Sequence, residues 1–216
     1  GRYTIELCKL GYNVTAVDIS SRLLDRCRSR LMADGLAQQA RCMVADARDL
    51  SSIEDKQYDA VLVMGPLYHL ILEEDRVAAL QQAIDRLKHG GLIVSAFLSR
   101  LGLMGHLLRT KPAWIESRSE VAGVIESGVN PDNLRQGSFR GYYADVSEIR
   151  PLHENLGIQT LALAGVEPAI SADDGLYNQL QGVQKTLWLD LLFDISANES
   201  IIGASRHLLY AGRKKS

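Results

Sequence analysis

Two aspartates stand where a strand gives way to a turn. Asn13-Val14-Thr15-Ala16-Val17 is a short β-branched run, and Asp18 follows it directly. Ala40-Arg41-Cys42-Met43-Val44-Ala45 is a second strand-like run, and Asp46 follows it in the same way. In an open parallel sheet, ligands sit outside the carboxyl ends of the strands. A carboxylate at that place can accept two hydrogen bonds from a ribose 2′,3′-diol. Asp18 has an equally ordinary role open to it as a helix-start residue, since an acid favours the first turn. His69, in the run Gly65-Pro66-Leu67-Tyr68-His69-Leu70, is a third candidate. An imidazole titrates near neutral pH and can take a proton from a hydroxyl, thiol or amine. It can also shape a pocket without handling a proton.

The elements that must position these residues alternate. A helix over Gly1 to Leu10, stopped by Gly11, precedes the first strand. Ser20 then caps a helix whose apolar face is Leu23, Leu24, Cys27 and Leu31, with Gly35 after its end. Past Asp46, a short helical stretch is expected over 49–55. It leads to Tyr58-Asp59-Ala60-Val61-Leu62-Val63-Met64, a nearly continuous apolar strand of the kind found in sheets covered on both faces. Val77, Leu80, Ile84 and Leu87 mark another amphipathic helix, closed by Gly90-Gly91, and Leu92 to Leu98 is the next strand. Strand–helix alternation of this kind argues for right-handed βαβ units and a doubly wound sheet.

Composition bounds the function. With 216 residues and 46% hydrophobic content, the chain suits one well-buried α/β domain with insertions. A formal net charge of −2 supplies no global positive field to draw it to nucleic acid or an anionic membrane. No apolar run reaches the roughly 18 to 20 residues that span a bilayer, and no signal-peptide pattern opens the sequence. Cys8, Cys27 and Cys42 occupy apolar positions without metal-ligand spacing, which suits a reducing cytoplasm. No histidine pair has zinc spacing and no carboxylate cluster suits magnesium, so no metal is expected.

With these residues in place, the first 100 or so positions resemble a class I S-adenosylmethionine-dependent methyltransferase, from the last glycine of that family's first motif through its fifth strand. The Leu87-Lys88-His89-Gly90-Gly91 turn is similar to the family's Lys-Pro-Gly-Gly turn, with His89 replacing proline. The resemblance implies an α/β fold: a doubly wound, mostly parallel, Rossmann-like sheet with helices on both faces and an antiparallel C-terminal strand. Ile158 to Ala164 and His207 to Gly212 suit the closing antiparallel pair, after a helix bearing Glu148, Ile149, Leu152 and Leu156 and stopped by Gly157. It further implies S-adenosylmethionine as cofactor. Gly1 and Met64 would border it, Asp18 would bind its ribose hydroxyls, and Ile19 would pack on the adenine. Asp46 would meet the adenine amino group and the Ala47 N–H a ring nitrogen. In the family the segment holding Tyr68 and His69 borders both sulfonium and acceptor. His69 is therefore the candidate catalytic base, and Tyr68 and His69 are candidate acceptor-binding residues. Gly65 stands where base-amine methylases carry Asp or Asn, which argues against that chemistry.

Two segments exceed a minimal domain. One, over 99–144, contains Trp114, Phe139, Tyr142 and Tyr143 and is expected to cap the site, with Trp114, Tyr142 and Tyr143 in the acceptor pocket. Equally, these aromatics could only seal the cap. The other, over 171–200, holds one helix pattern, Leu180, Val183, Leu187, Leu191 and Ile195, near Tyr177 and Trp188. It suits a lid, a buttress or a homodimer contact. The reading is of a single domain over 1–216, a cytoplasmic enzyme moving a methyl group to an O, N or S atom of a small-molecule acceptor by direct displacement. No nucleic-acid and no membrane partner is expected. The family's first strand and acidic glycine loop would lie just upstream of Gly1, so the sequence is expected to be an incomplete version of the native polypeptide, and the sheet to have an unfilled slot. The rivals are a nicotinamide-dependent oxidoreductase, with Tyr210 and Lys214 as a weak Tyr-x-x-x-Lys pair, and a non-catalytic S-adenosylmethionine-binding protein.

Overall fold

The computed structural model describes residues 1–53, 57–129, 141–166 and 179–215. The chain divides into two compact units, Gly1–Lys56 and Gln57–Ser216.

The first unit is built from α1 (Arg2–Lys9), β1 (Val14–Asp18), α2 (Ser21–Ala33) and β2 (Ala40–Val44). β1 and β2 are parallel, in register from Val14 opposite Ala40 to Asp18 opposite Val44. Ile5 and Cys8 of α1 and Leu24, Cys27 and Leu31 of α2 recur at helical spacing, so each helix buries one stripe. Ile5, Cys8, Cys27 and Leu31 form the core, with Val14, Leu36, Ala40 and Cys42 packed on it. The cysteines thus serve as small apolar residues, and burial raises the thiol pKa of Cys8 and Cys42. The helix expected over 49–55 does not form in its described part, which is turns through residue 53. Asp46 and Asp49 each accept the backbone N–H two residues on, from Arg48 and Ser51. Such local bonds offer the backbone an alternative to the helix.

The second unit holds one four-stranded sheet in the order β3-β4-β6-β5. β3 (Tyr58–Val63) leads through α3 (Glu73–Asp85) to β4 (Leu87–Leu98), which lies parallel to it. Next come α4 (Met104–Thr110), α5 (Arg118–Ser127), α6 (Val146–Glu154), β5 (Ile158–Gly165), α7 (Gly182–Ile195), α8 (Glu199–Ala204) and β6 (His207–Lys214). β6 runs antiparallel to both β4 and β5. The α/β class, the parallel βαβ pairings and the antiparallel C-terminal strand are as expected. The described strands form two sheets, β1-β2 in the first unit and β3-β4-β6-β5 in the second.

The boundary after α3 differs from the sequence reading. Leu87 opens β4 instead of ending the helix. The carbonyls at the helix end are taken up from elsewhere: Lys214 Nζ donates to Ile84 and Leu87, and the Tyr58 N–H donates to Arg86. Strand pairing then jumps from Tyr58–Leu87 to Ala60–Leu92. Gly90, at φ 75°, sits in that bulge. The pattern over 180–195 does become a helix, α7, but no side chain on it is buried and Val183, Leu187 and Phe193 are exposed. Phe139 and Tyr177 lie outside the described residues. Among the described residues, no helix is long and apolar enough to cross a membrane.

Beneath the sheet, His153 of α6 is fully buried between Ser95 and Tyr210. The Ile149 carbonyl can only accept, so Nδ1 carries the ring proton and Nε2 accepts from the Ser95 hydroxyl, at 2.8 and 3.0 Å respectively. The ring stacks on Tyr210 at 3.8 Å between centroids. Burial pushes its pKa down to about 4, so the neutral form is the folded one.

Candidate active site

In the first unit, Asp18 is the last residue of β1 and plays the helix-start role as well as holding its strand-end place. Its Oδ1 accepts the Ser20 N–H at 2.8 Å, and Ser20 Oγ in turn accepts the Leu23 N–H at 3.3 Å to cap α2. Oδ2 makes no hydrogen bond among the described residues. Ile19, beside it, is 71% exposed and offers a bare apolar face. The Ala45 N–H donates to the Asp18 carbonyl, which continues the ladder and sets Asp46 next to Asp18 across the strand ends. Asp46 is held by Arg48, which reaches Oδ1 through Nε and Oδ2 through Nη2 at 3.1 and 2.7 Å. That contact keeps its carboxyl below the usual carboxylate range. An ionised carboxylate has about four lone-pair positions, so one remains for a further donor. Ala47 follows, half-buried. Gly1 begins α1 against α2, where an added Cβ would lie 2.5 Å from Cys27 Sγ, so glycine here allows close helix packing.

In the second unit, β3 runs into Met64, which is half-buried, and then a 3₁₀ turn over Pro66–Tyr68 with Leu67 buried beneath. The Tyr68 hydroxyl reaches back to the Met64 carbonyl at 3.4 Å. The Tyr68 and His69 rings lie 4.8 Å apart and His69 is exposed. The Tyr142 N–H donates to the Tyr68 carbonyl at 2.9 Å. Two candidates 74 positions apart in sequence (142 − 68) are therefore neighbours.

Around Tyr142 gathers a polar cluster that sequence reasoning missed. Arg76, on α3, sets its guanidinium carbon 3.6 Å from the centre of the Tyr142 ring. Its Nη1 donates to the carbonyls of Leu70 and Ile71 at 2.9 and 2.7 Å. Tyr142 donates its hydroxyl to Glu148 Oε1 at 2.5 Å. Burial, then this carboxylate, pushes the phenol up to about 12, so Tyr142 is a neutral donor at physiological pH. Arg100 lies 3.6 Å from Glu148 and donates to the carbonyls of Tyr143 and Glu126. Asp145, which caps α6, lies within electrostatic reach of Arg100. One signal was available in the sequence. Arg76 falls on the same helical stripe as Leu80, Ala83 and Ile84, a charge on a face that otherwise reads as core. Arg100 and Glu148 carried no comparable sign, since each sits in a loop or at a helix start.

Trp114 and Tyr143 come together elsewhere in the second unit. Tyr143 is buried with Leu103 and Val124, and Trp114, Leu98, Met104 and Leu107 pack on that cluster. Both side chains thus belong to one local apolar cluster. Among the other histidines, His106 accepts from Arg206 at 3.0 Å and joins α4 to the start of β6. His89 is exposed near the Lys215 carbonyl.

Comparison with known proteins places this geometry. Residues 1–91 match the family model described as a methyltransferase domain. Two curated relatives, tRNA 5-carboxymethoxyuridine methyltransferases of Escherichia coli K12 and O157:H7, are 26% identical over 171 residues. That alignment covers 77% of this chain and 59% of theirs, so the chain spans less than two thirds of those relatives. Among solved structures, an S-adenosylmethionine-dependent methyltransferase from Methanosarcina mazei matches with a TM-score of 0.63 at 16% identity, over 98% of this chain and 86% of that one. The CcbJ methyltransferase from Streptomyces caelestis matches with a TM-score of 0.65 at 15% identity, over 100% and 80%. The resemblance to class I S-adenosylmethionine-dependent methyltransferases is borne out, by family model over residues 1–91 and by fold over nearly the whole chain. The Methanosarcina mazei neighbour is described as S-adenosylmethionine-dependent, in line with the expected cofactor. One expectation is overturned. The curated relatives are named for a tRNA nucleoside, so net charge was a poor ground for expecting no nucleic-acid partner. A whole-chain sum of charge does not register recognition of one unstacked base in a loop.

Proposed function

We propose that this protein is a cytoplasmic S-adenosylmethionine-dependent methyltransferase. The observation that carries the reading is the β1–α2 turn within the matched 91 residues. There a strand-end carboxylate spends one oxygen on the helix cap and keeps the other. The first unit fits the cofactor's nucleoside: Asp18 Oδ2 for the ribose diol, Ile19 for the adenine face, and Asp46 with Ala47 for the adenine edge. Bound there, S-adenosylmethionine supplies a methyl group already activated on a sulfonium, so positioning of the acceptor accounts for much of the remaining rate. Tyr68 and His69 border the acceptor in this reading. His69 acts as a base only where the acceptor must first lose a proton. Tyr142 orients: its phenol stays protonated and its backbone holds the Tyr68 turn.

For the acceptor, the leading reading is an RNA-borne nucleoside carrying an acidic side group. The curated match supports it, because an alignment covering 77% of the chain runs well past residue 91 into the acceptor-side segments. A free small carboxylic acid is the second reading, which one assay distinguishes from the first. Incubation with methyl-labelled S-adenosylmethionine, bulk tRNA and a panel of small carboxylic acids separates them. Label in the RNA supports the first reading and label in a small acid the second. Transfer to neither, with no S-adenosylhomocysteine binding, would overturn the methyltransferase assignment.

A further inference from the structure

Arg76 is only 6% exposed. A guanidinium is charged at every accessible pH, and taking such a charge out of water costs several kcal/mol unless it is matched. The match here is partial. Nη1 serves two carbonyls and the π face of Tyr142 lies against the carbon, but Nε and Nη2 make no hydrogen bond among the described residues. Nor does a carboxylate pair with Arg76 among them. Glu73 and Glu74 precede it on the first turn of α3, both exposed and neither paired with it among the described residues. The nearby acids go to the other arginine: Glu148 lies 3.6 Å from Arg100, and Asp145 also feels that charge. The cluster therefore contains a guanidinium held from one side by Leu70, Ile71 and Tyr142, with a pair of donors that no described residue takes up. Those two N–H groups are the fork that grips a carboxylate. The same Tyr142 bonds to Tyr68, the residue beside the proposed acceptor position.

We propose that Arg76 anchors a carboxylate carried by the methyl acceptor, through Nε and Nη2. The inference rests on the methyltransferase reading above and narrows its acceptor to acids. It agrees with the carboxymethoxy group in the name of the curated relatives' nucleoside. A role confined to stapling the 70–71 turn under Tyr142 would leave the fork without a ligand.

The test is calorimetric titration of the full-length natural protein, saturated with S-adenosylhomocysteine, by 5-carboxymethoxyuridine and by uridine. Inorganic phosphate serves as competitor. The wild type is expected to favour the carboxylated nucleoside by about ten- to a hundredfold. Arg76→Gln should bring that ratio near one while uridine and S-adenosylhomocysteine still bind. Arg76→Lys, which keeps the charge but loses the fork, should fall between. A wild-type ratio near one overturns the proposal without any variant. So does a ratio that survives Arg76→Gln, or phosphate that competes as well as the carboxylated nucleoside. Should Arg76→Gln fail to fold, the wild-type and Arg76→Lys ratios decide. Loss of S-adenosylhomocysteine binding in the wild type is the separate failure of the methyltransferase reading.

Discussion

The two units put their candidate residues in place by opposite means. In the first, Asp18, Ile19 and Ser20 are consecutive, and Asp46 is set beside them by one parallel strand pair. What the proposed donor site needs is written in two strand-end turns, each local in sequence. In the second, Tyr68, Arg76, Arg100, Tyr142 and Glu148 come from a 3₁₀ turn, two helices and two loops. Short-range motifs survive as readable spacing, whereas a site assembled by tertiary contacts leaves little local trace.

Breaking the long-range frame should therefore have a large effect. Arg100→Ala removes the donors to the Tyr143 and Glu126 carbonyls and leaves Glu148 without its cation. A loss of about 2 to 3 kcal/mol is expected in denaturant unfolding, mostly from the two unsatisfied carbonyls, since Glu148 is partly screened by solvent. A loss below about 1 kcal/mol would mean that the cap holds Tyr142 without it.

The buried His153 gives the second unit a pH dependence. Its folded pKa of about 4 lies below the unfolded value of 6.5. Above pH 6.5 the ring is neutral in both states and contributes no slope. Between 6.5 and 4 the unfolded chain binds the proton and the folded one does not, so stability falls. Below 4 both are charged and the slope ends. The total is on the order of 3 kcal/mol. Melting temperature followed across that window should drop for the wild type, and this component should be absent in His153→Gln.

Within the first unit, effects should be local and small. Ser20→Ala deletes the side-chain cap of α2 and should cost about 1 kcal/mol in the same unfolding assay. Arg48→Ala breaks a partly exposed pair with Asp46 and should change stability by under about 1 kcal/mol. A much larger loss in either would show that the turns depend on more than their neighbours.

The fold was legible because hydrophobic period and stop signals agree: Ile5–Cys8 and Leu24–Cys27–Leu31 stripes, glycines at helix ends, and apolar strands at Tyr58 and Leu92. It failed where one local rule met a competitor. The aspartate turns at Asp46 and Asp49 displaced a helix, and Lys214, 127 residues beyond Leu87, helped to end α3 early. On the site, Tyr68 and Tyr142 were each picked for chemistry, but nothing in sequence joined them. Arg76 was passed over because a lone charge in a helix stripe looks like a tolerated exception. Its burial and its unspent donors appear only in three dimensions.

The central claim is that the β1–α2 turn holds the donor, and one titration tests it most directly. S-adenosylhomocysteine is titrated calorimetrically into the full-length natural protein and its Asp18→Ala variant. Removing a charge-assisted pair of hydrogen bonds should weaken binding about ten- to a hundredfold, with the variant still folded. Equal affinity in the two proteins, or no binding by the wild type, would contradict the account.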